Sequence, residues 1–298
     1  MLLRWLAVGL LSALVAGAAF ACAPAPPARA LASPPAASLP AAAPPPAAVP
    51  AAAPALDVPA AVPASQPAVE VIGYSAGGLP LTVYWVGTGQ TVVVVQGAIH
   101  GGPEANTARL VYQLRDYFQE RPEEIPAGLR LAFMPEANPD GIAIDSRFYL
   151  SGVDPNRNWD TADWQADAYD GAGRLRAGLG GSAPMSEPET RAMAAWFLAV
   201  RPAVVVQYHS QGAFVVGTPE LAAAYSAASG YYRPLPGHTG NVLGYRATGT
   251  LGRWLAEQGI GSVLIELSNH RDTEFARNLA GLRALLRVVA EGQAPAAE

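Results

Sequence analysis

The 298-residue chain has no lysine and a single cysteine, Cys22, so disulfide bonds within the chain are excluded. Every basic side chain apart from histidine is therefore an arginine, and an isolated arginine says little about function. The formal net charge is −5, and the sequence has neither a basic stripe nor a repeated unit. These features argue against a nucleic-acid partner, and we expect none.

The first 21 residues have the pattern of a signal peptide, with one charge at Arg4, a long apolar run and small residues before Cys22. The run is too short, and too soon followed by proline, to indicate a transmembrane helix. The position of Cys22 favours bacterial lipoprotein processing with acylation at this residue, although ordinary cleavage that leaves a free cysteine is nearly as well supported. We therefore expect an extracytoplasmic protein that is lipid-anchored to a cell membrane or secreted.

Residues 22–68 are rich in alanine and proline, and Arg29 and Asp57 are their only charged residues. Such a segment cannot bury enough varied apolar surface to fold alone, and its prolines favour an extended, semi-stiff conformation. We expect a linker that holds the rest of the chain away from a membrane. Residues 69–298 suffice for one α/β domain of ordinary size, which we expect to be a monomer.

Three runs of β-branched and apolar residues each lead to a side chain that can bind a metal or transfer a proton. The runs are 92–95 (VVVV), 203–208 (AVVVQY) and 262–266 (SVLIE), and they lead to His100, His209 and Glu266. Continuous apolar runs of this length are typical of strands that helices cover on both faces. In such sheets the ligand crevice lies beyond the carboxyl ends of the strands. We therefore expect the three side chains to share one site.

The remaining pattern predicts paired strands at 70–75 and 79–87, a further strand at 129–135, and helices at about 104–119 and 272–290. Ser186 followed by Glu189 has the spacing of a capping box, which predicts another helix start.

A metal site is the simplest chemistry for this arrangement. His100 and Glu104 are four residues apart, with Gly-Gly-Pro between them. The glycines allow a tight turn after the strand, and proline fits the first turn of the helix that follows. Two histidines and one glutamate, here with His209 from a neighbouring strand, are a common ligand set of catalytic zinc, so we predict one Zn²⁺ per chain. The alternative is a helix-capping glutamate with two ordinary histidines.

Two further motifs are NPDG at 138–141 and GVDPNRNWD at 152–160. In this order, and together with the histidines, they resemble the zinc carboxypeptidase family of carboxypeptidase A-like metallopeptidases. The resemblance extends from Val69 to the last predicted helix. It implies an α/β fold with a mixed, mostly parallel sheet of about eight strands flanked by helices. It also implies a zinc-dependent metallocarboxypeptidase that hydrolyses C-terminal peptide bonds.

The resemblance assigns the reaction to a small set of residues. It implies that His100, Glu104 and His209 hold the zinc, although the family usually has H-x-x-E where this chain has H-x-x-x-E. It implies that Glu266 is the general base, which accepts a proton from water and delivers it to the leaving amine. It also implies that Arg147 stabilises the oxyanion.

The same resemblance implies how the substrate is bound. Asn156 and Arg157 would grip its free carboxylate, and Tyr245 would close over it. Leu251 would lie at the floor of the specificity pocket, which predicts a preference for apolar over basic terminal residues. Asp154 would orient the first zinc histidine.

Two alternative functions stay open at this point. One is an amidase of the same fold that acts on murein peptides or acylated amino acids. The other is a non-catalytic surface lipoprotein that binds peptides, against which the retention of both histidines and Glu266 argues. The expected partner is accordingly a peptide or muropeptide substrate, with possible membrane attachment through Cys22.

Overall fold

The computed structural model describes residues 68–234 and 244–292. The proposed signal peptide (1–21), Cys22 and nearly all of the proposed linker (22–68) lie outside the described residues, so the predictions made for them stay predictions. No helix among the described residues is long and apolar enough to cross a membrane.

The elements alternate between strands and helices through most of the chain. In chain order they are β1 (Val69–Tyr74), β2 (Pro80–Gly87), β3 (Thr91–Gln96), a 3₁₀ turn (Gly102–Ala105), α1 (Asn106–Glu120), a second 3₁₀ turn (Pro122–Glu124), β4 (Leu129–Met134), α2 (Pro139–Ala143), β5 (Ala168–Tyr169), β6 (Leu175–Arg176), α3 (Pro188–Val200), β7 (Val204–Ser210), β8 (Phe214–Gly217), α4 (Pro219–Ser229), α5 (Leu251–Glu257), β9 (Gly261–Leu267) and α6 (Phe275–Glu291).

Seven of these strands form one mixed sheet in the order β1-β2-β4-β3-β7-β9-β8. The central strands β4, β3, β7 and β9 are parallel, whereas β1, β2 and β8 pair antiparallel at the two sides. The predicted mixed sheet with a mostly parallel centre is therefore confirmed, with seven strands in the described residues rather than about eight. The short strands β5 and β6 form a separate hairpin.

Two apolar layers cover the sheet because neighbouring strand residues point to opposite faces. Val93 and Val95 of β3 pack into the cluster that includes α1, α4 and α6. Val92 and Val94 pack into the other cluster, with side chains of α3 and α5. This explains why the central strands read as continuous apolar runs rather than as alternating ones.

The carboxyl ends of the parallel strands meet at one edge, where two glycine-containing turns lie against each other. A Cβ atom on Gly101 would lie 2.2 Å from the carbonyl carbon of Gly141, so no residue larger than glycine fits there. Gly102 has a φ of +55°, which favours glycine. Asn138 caps α2, since its Oδ1 accepts a hydrogen bond of 2.9 Å from the amide of Gly141. The NPDG motif thus supports the loop that carries His100.

The capping-box prediction at the start of α3 is wrong. The helix has Glu187 as its N-cap and no side-chain cap. Glu189 instead turns away from the helix end, and its Oε1 accepts a hydrogen bond of 2.8 Å from the amide of Ala76. The long-range contact with the β1–β2 turn therefore replaces the local one.

Candidate metal centre and active site

Three separate elements at the carboxyl edge of the sheet carry the predicted ligands His100, Glu104 and His209. His100 follows β3, Glu104 lies in the 3₁₀ turn that precedes α1, and His209 is the sixth residue of β7. Each of the three is only 2% exposed. The structure thus brings the three predicted ligands to one buried point.

The ligand atoms of these residues all lie within 4.8 Å of one another. Nδ1 of His100 is 3.0 Å from Oε1 of Glu104, and Nδ1 of His209 is 3.4 Å from Oε2 of the same carboxylate. The two imidazole rings have centroids 5.0 Å apart and are inclined at 71°. One carboxylate therefore faces one nitrogen of each ring.

This cluster fits a zinc ion better than it fits a hydrogen-bonded core. Nδ1 of His100 is buried and makes no hydrogen bond despite its short distance to Glu104. Burial opposes ionisation of Glu104, but His100, His209 and Arg147 outweigh it and hold the pKa of the carboxyl well below its usual range. Two imidazoles and an ionised carboxylate match the donor set of catalytic zinc. The prediction of a zinc cofactor is confirmed by this donor set and by the family match reported below.

Asp154 contacts His100 at Nε2, the ring nitrogen that does not face Glu104. Its Oδ1 is 3.1 Å from Nε2 of His100, and its Oδ2 accepts a hydrogen bond of 3.3 Å from Nε of Arg147. Burial raises the pKa of Asp154, but the charges of His100 and Arg147 dominate and hold it well below its usual range. An ionised carboxylate at Nε2 favours the tautomer that carries its proton there, which leaves the Nδ1 lone pair for a metal.

Arg147 lies at the same point, with its side chain 24% exposed. Its Nη1 donates to Oε1 of Glu104, and its Nη2 is 3.0 Å from Nε2 of His100. The guanidinium is thus a fixed positive charge beside the predicted ligands, open to the crevice on one side. This position suits the predicted role at a developing oxyanion.

Glu266 lies directly beside the second histidine, because Glu266 and His209 are paired in the register of β9 and β7. Its Oε2 is buried and makes no hydrogen bond. Burial, followed by the charge of Glu104, raises the pKa of Glu266 to about 8. A carboxylate without hydrogen-bond partners, next to a metal site, is suited to accept a proton from water.

Asn156, Arg157 and Tyr245 form a second group at this edge. Arg157 is 3% exposed, and its Nε and Nη1 donate to the carbonyl oxygens of Tyr169 and Asn156 at 2.9 and 2.7 Å. Tyr245 lies near both arginines: burial raises the pKa of its hydroxyl, and the positive charges of Arg157 and Arg147 oppose that rise. The predicted carboxylate-binding pair and the predicted covering tyrosine are therefore adjacent.

The prediction for Leu251 needs correction. Its side chain has no exposed surface and packs with Trp159 and Trp254 in the core below the sheet edge. Only its backbone faces the site, since the Leu251 amide donates a hydrogen bond of 2.8 Å to Oδ1 of Asn156. At the first position of α5 the side chain points inward, so Leu251 does not form the floor of an open pocket, and the apolar preference inferred from it loses its basis.

The β5–β6 hairpin is a part of the site that the sequence analysis did not identify. The ring of Tyr169 lies 5.9 Å from that of Tyr245, and a Cβ on Gly171 would lie 3.5 Å from Cζ of Arg147. Asp170 stabilises the turn by accepting hydrogen bonds of 2.9 and 3.0 Å from the amides of Ala172 and Arg174. The hairpin therefore forms one wall of the crevice. The Asp-Gly pair at 170–171 is a turn signal from which such a hairpin could have been predicted.

Comparison with known proteins gives a consistent result. The zinc carboxypeptidase family model matches residues 61–229, which is more than half of the chain and includes His100, Glu104 and His209 but not Glu266. Murein peptide amidase A of Escherichia coli K12 is 30% identical over 135 residues, which is 43% of this chain and 54% of the relative. The chain thus spans about half the length of the curated relatives it matches.

Solved structures show the same fold. The murein-tripeptide amidase from Escherichia coli O157 has a TM-score of 0.56 and 23% identity, and the alignment covers 76% of this chain and 92% of that one. Carboxypeptidase A from Helicoverpa armigera has a TM-score of 0.61 and 17% identity over 76% of this chain and 69% of that one. The predicted resemblance is confirmed, and the chain belongs to the zinc carboxypeptidase family.

Proposed function

We propose that this protein is an extracytoplasmic zinc-dependent carboxypeptidase, which hydrolyses the amide bond before a terminal residue that carries a free carboxylate. The observation that carries the proposal is the adjacency of two groups. The ligand set of His100, Glu104 and His209 lies beside Arg147, and Asp154 links Arg147 to the segment that bears Asn156 and Arg157.

Each group has a distinct task in this reaction. A zinc ion, when bound, supplies a Lewis acid and lowers the pKa of water toward about 7. Glu266 accepts the proton of the attacking water and passes it to the leaving amine. Arg147 stabilises the negative charge that develops on the carbonyl oxygen. The terminal carboxylate is held by Arg157 and by the side-chain NH₂ of Asn156. The side-chain oxygen of Asn156 is not free for this, because it accepts a hydrogen bond from the Leu251 amide.

Murein peptides are the second candidate substrate class. The curated relatives at 30% identity are murein peptide amidases, and their alignment covers 43% of this chain. Hydrolysis of a muropeptide amide bond next to a free carboxylate would use the same residues as hydrolysis of a C-terminal peptide bond. The two substrate classes are therefore distinguished by comparing kcat/KM for ordinary peptides with kcat/KM for muropeptides that have the same terminal residue. A non-catalytic peptide-binding role is disfavoured because Glu266 lies beside the ligand set.

Blocking the substrate carboxylate as an amide is expected to lower kcat/KM by about ten- to a hundredfold, because the charge-assisted contact with Arg157 contributes about 1.5–3 kcal/mol. Arg157→Ala should cause a similar loss with the free acid. The two losses should not add, since both remove the same contact. The measurement is kcat/KM for the wild type and Arg157→Ala, each with the free-acid and the amidated substrate, analysed as a thermodynamic cycle.

The exposed Arg287 on α6 supplies the matched control, and Arg287→Ala should have the wild-type kcat/KM with both substrates. Because Arg157 is buried, the melting temperature of Arg157→Ala is measured alongside. Equal cleavage of amidated and free-acid substrates by the wild type would reject the carboxypeptidase proposal and favour an amidase without a carboxylate requirement.

We further propose that the chain is exported and held at a membrane through a lipid on Cys22. The support is the sequence alone, with its signal-peptide pattern and the Ala/Pro-rich segment that follows. Cys22→Ser should move the full-length protein from the membrane fraction to the soluble fraction, as measured by fractionation with immunoblotting. A wild-type protein that is already soluble and unacylated would indicate plain secretion instead.

A further inference from the structure

The turn that carries Glu104 is not held by side chains at its own ends. It is the 3₁₀ turn Gly102–Ala105, and neither this turn nor α1, which follows it directly, has a side-chain cap at its start. The start of a helix leaves backbone amides without partners inside the helix. The amide of Glu104 donates a hydrogen bond of 3.2 Å to the carbonyl oxygen of Gly101. The turn therefore depends on contacts with other parts of the chain.

Thr107, in the first turn of α1, joins this turn to the loop that carries His100. Its hydroxyl donates a hydrogen bond of 2.7 Å to the carbonyl oxygen of Glu104 and accepts one of 2.8 Å from the amide of Ala98. Ala98 has a φ of +40°, a conformation that residues other than glycine rarely adopt, and this bond stabilises it. Thr107 has no exposed surface, so both backbone groups would lose their partner if the hydroxyl were removed.

Asn106, the first residue of α1, joins the same turn to the end of β7 and to the segment after β9. Its Nδ2 donates hydrogen bonds of 2.9 and 3.0 Å to the carbonyl oxygens of Asn269 and Asp272. Its Oδ1 accepts a hydrogen bond of 2.9 Å from Oγ of Ser210. These bonds fix the orientation of the side-chain amide, because only its NH₂ end can donate to two carbonyl oxygens.

Ser210 extends this connection to the carboxylate itself. Its amide donates a hydrogen bond of 3.2 Å to Oε2 of Glu104, the oxygen that faces His209. Its hydroxyl has one proton, which it donates to Asn106, so it accepts a hydrogen bond of 2.9 Å from Nδ1 of His270. The side chain of Asn106 and the carboxylate of Glu104 are therefore bound to the same residue.

We propose that Asn106 and Thr107 are positioning residues of the metal site, which hold the carboxylate of Glu104 between the two imidazoles. Thr107 fixes the turn against the loop that carries His100, and Asn106 fixes it against the strand that carries His209. The inference rests on the proposed function, in which Glu104 is a zinc ligand. Groups behind the ligands orient them and thereby set the metal affinity. Loss of either positioning residue should therefore raise the dissociation constant for zinc.

The test is the dissociation constant for Zn²⁺, measured on the metal-free full-length protein by competition with a chelator. Thr107→Val keeps the shape of the side chain but removes both hydrogen bonds, and it should raise the dissociation constant by about 10- to 100-fold. Thr107→Ser keeps the hydroxyl and should bind zinc nearly as tightly as the wild type. Asn106→Leu should weaken zinc binding by a similar factor. The absorption spectrum of the Co²⁺-substituted protein should change in Thr107→Val and Asn106→Leu only.

Thr218→Val is the matched control for the loss of a threonine hydroxyl. Oγ1 of Thr218 accepts a hydrogen bond of 3.0 Å from the amide of Ser262, which pairs with Val205 near the start of β7 and β9, at the opposite end of these strands from the metal site. This variant should have a lower melting temperature but the wild-type dissociation constant for zinc.

Wild-type zinc affinity in Thr107→Val or in Asn106→Leu would overturn the inference for that residue, whatever its melting temperature. Equal losses of affinity in Thr107→Ser and Thr107→Val, or in Thr218→Val and Thr107→Val, would also overturn it, since packing or general stability would then be the cause. A wild-type protein that binds no zinc would instead reject the ligand set, and with it the proposed function.

Discussion

Glu266→Gln is expected to lower kcat by about 10²- to 10⁴-fold while zinc content and fold stay at the wild-type level. The glutamine side chain has nearly the same shape, but it cannot accept a proton from water. Glu266 is paired in register with His209 and is not one of the three clustered ligands, so its loss should not release the metal. Steady-state kinetics, metal analysis and circular dichroism on the same preparation measure the three quantities.

The control for this change is Glu291→Gln, at the exposed end of α6, which should have wild-type kcat. A Glu266→Gln variant with nearly normal kcat would show that another carboxylate is the base. A variant that lost its zinc would instead show that Glu266 supports the metal site.

His209→Ala should remove most of the bound metal and reduce hydrolysis to background. His209 supplies one of only two imidazoles in the cluster, and its Nδ1 lies 3.4 Å from Oε2 of Glu104. Two remaining ligands do not complete the three-ligand set of a catalytic zinc site. Metal content per chain, measured by mass spectrometry after dialysis, gives the result directly.

His270 offers a matched control for the loss of an imidazole near the site. It is half-buried, and its Nδ1 is 2.9 Å from Oγ of Ser210, the residue after His209. His270→Ala should keep about one zinc per chain. Full zinc occupancy in His209→Ala would reject His209 as a ligand.

The sequence predicts the fold well wherever strands are buried on both faces. Runs such as VVVV at 92–95 have few alternatives to a central strand, and their ends place His100, His209 and Glu266 at one edge. The HGG and NPDG turns are informative for the same physical reason, since a Cβ on Gly101 would collide with the backbone of Gly141. At these strands and turns the local sequence therefore allows few alternative backbone conformations.

The sequence fails where long-range contacts decide the direction of a side chain. Glu189 bonds to the amide of Ala76 rather than capping its own helix, and Leu251 turns into the core rather than toward the crevice. Neither outcome is encoded in spacing alone.

The central claim is that hydrolysis depends on one zinc ion held by His100, Glu104 and His209. Titration of the metal-free protein with Zn²⁺, with hydrolysis of a free-acid peptide measured at each addition, tests it most directly. The activity should rise linearly from background and reach a plateau at about one equivalent per chain. Full activity before zinc is added, or no activity at any zinc concentration despite binding, would contradict it.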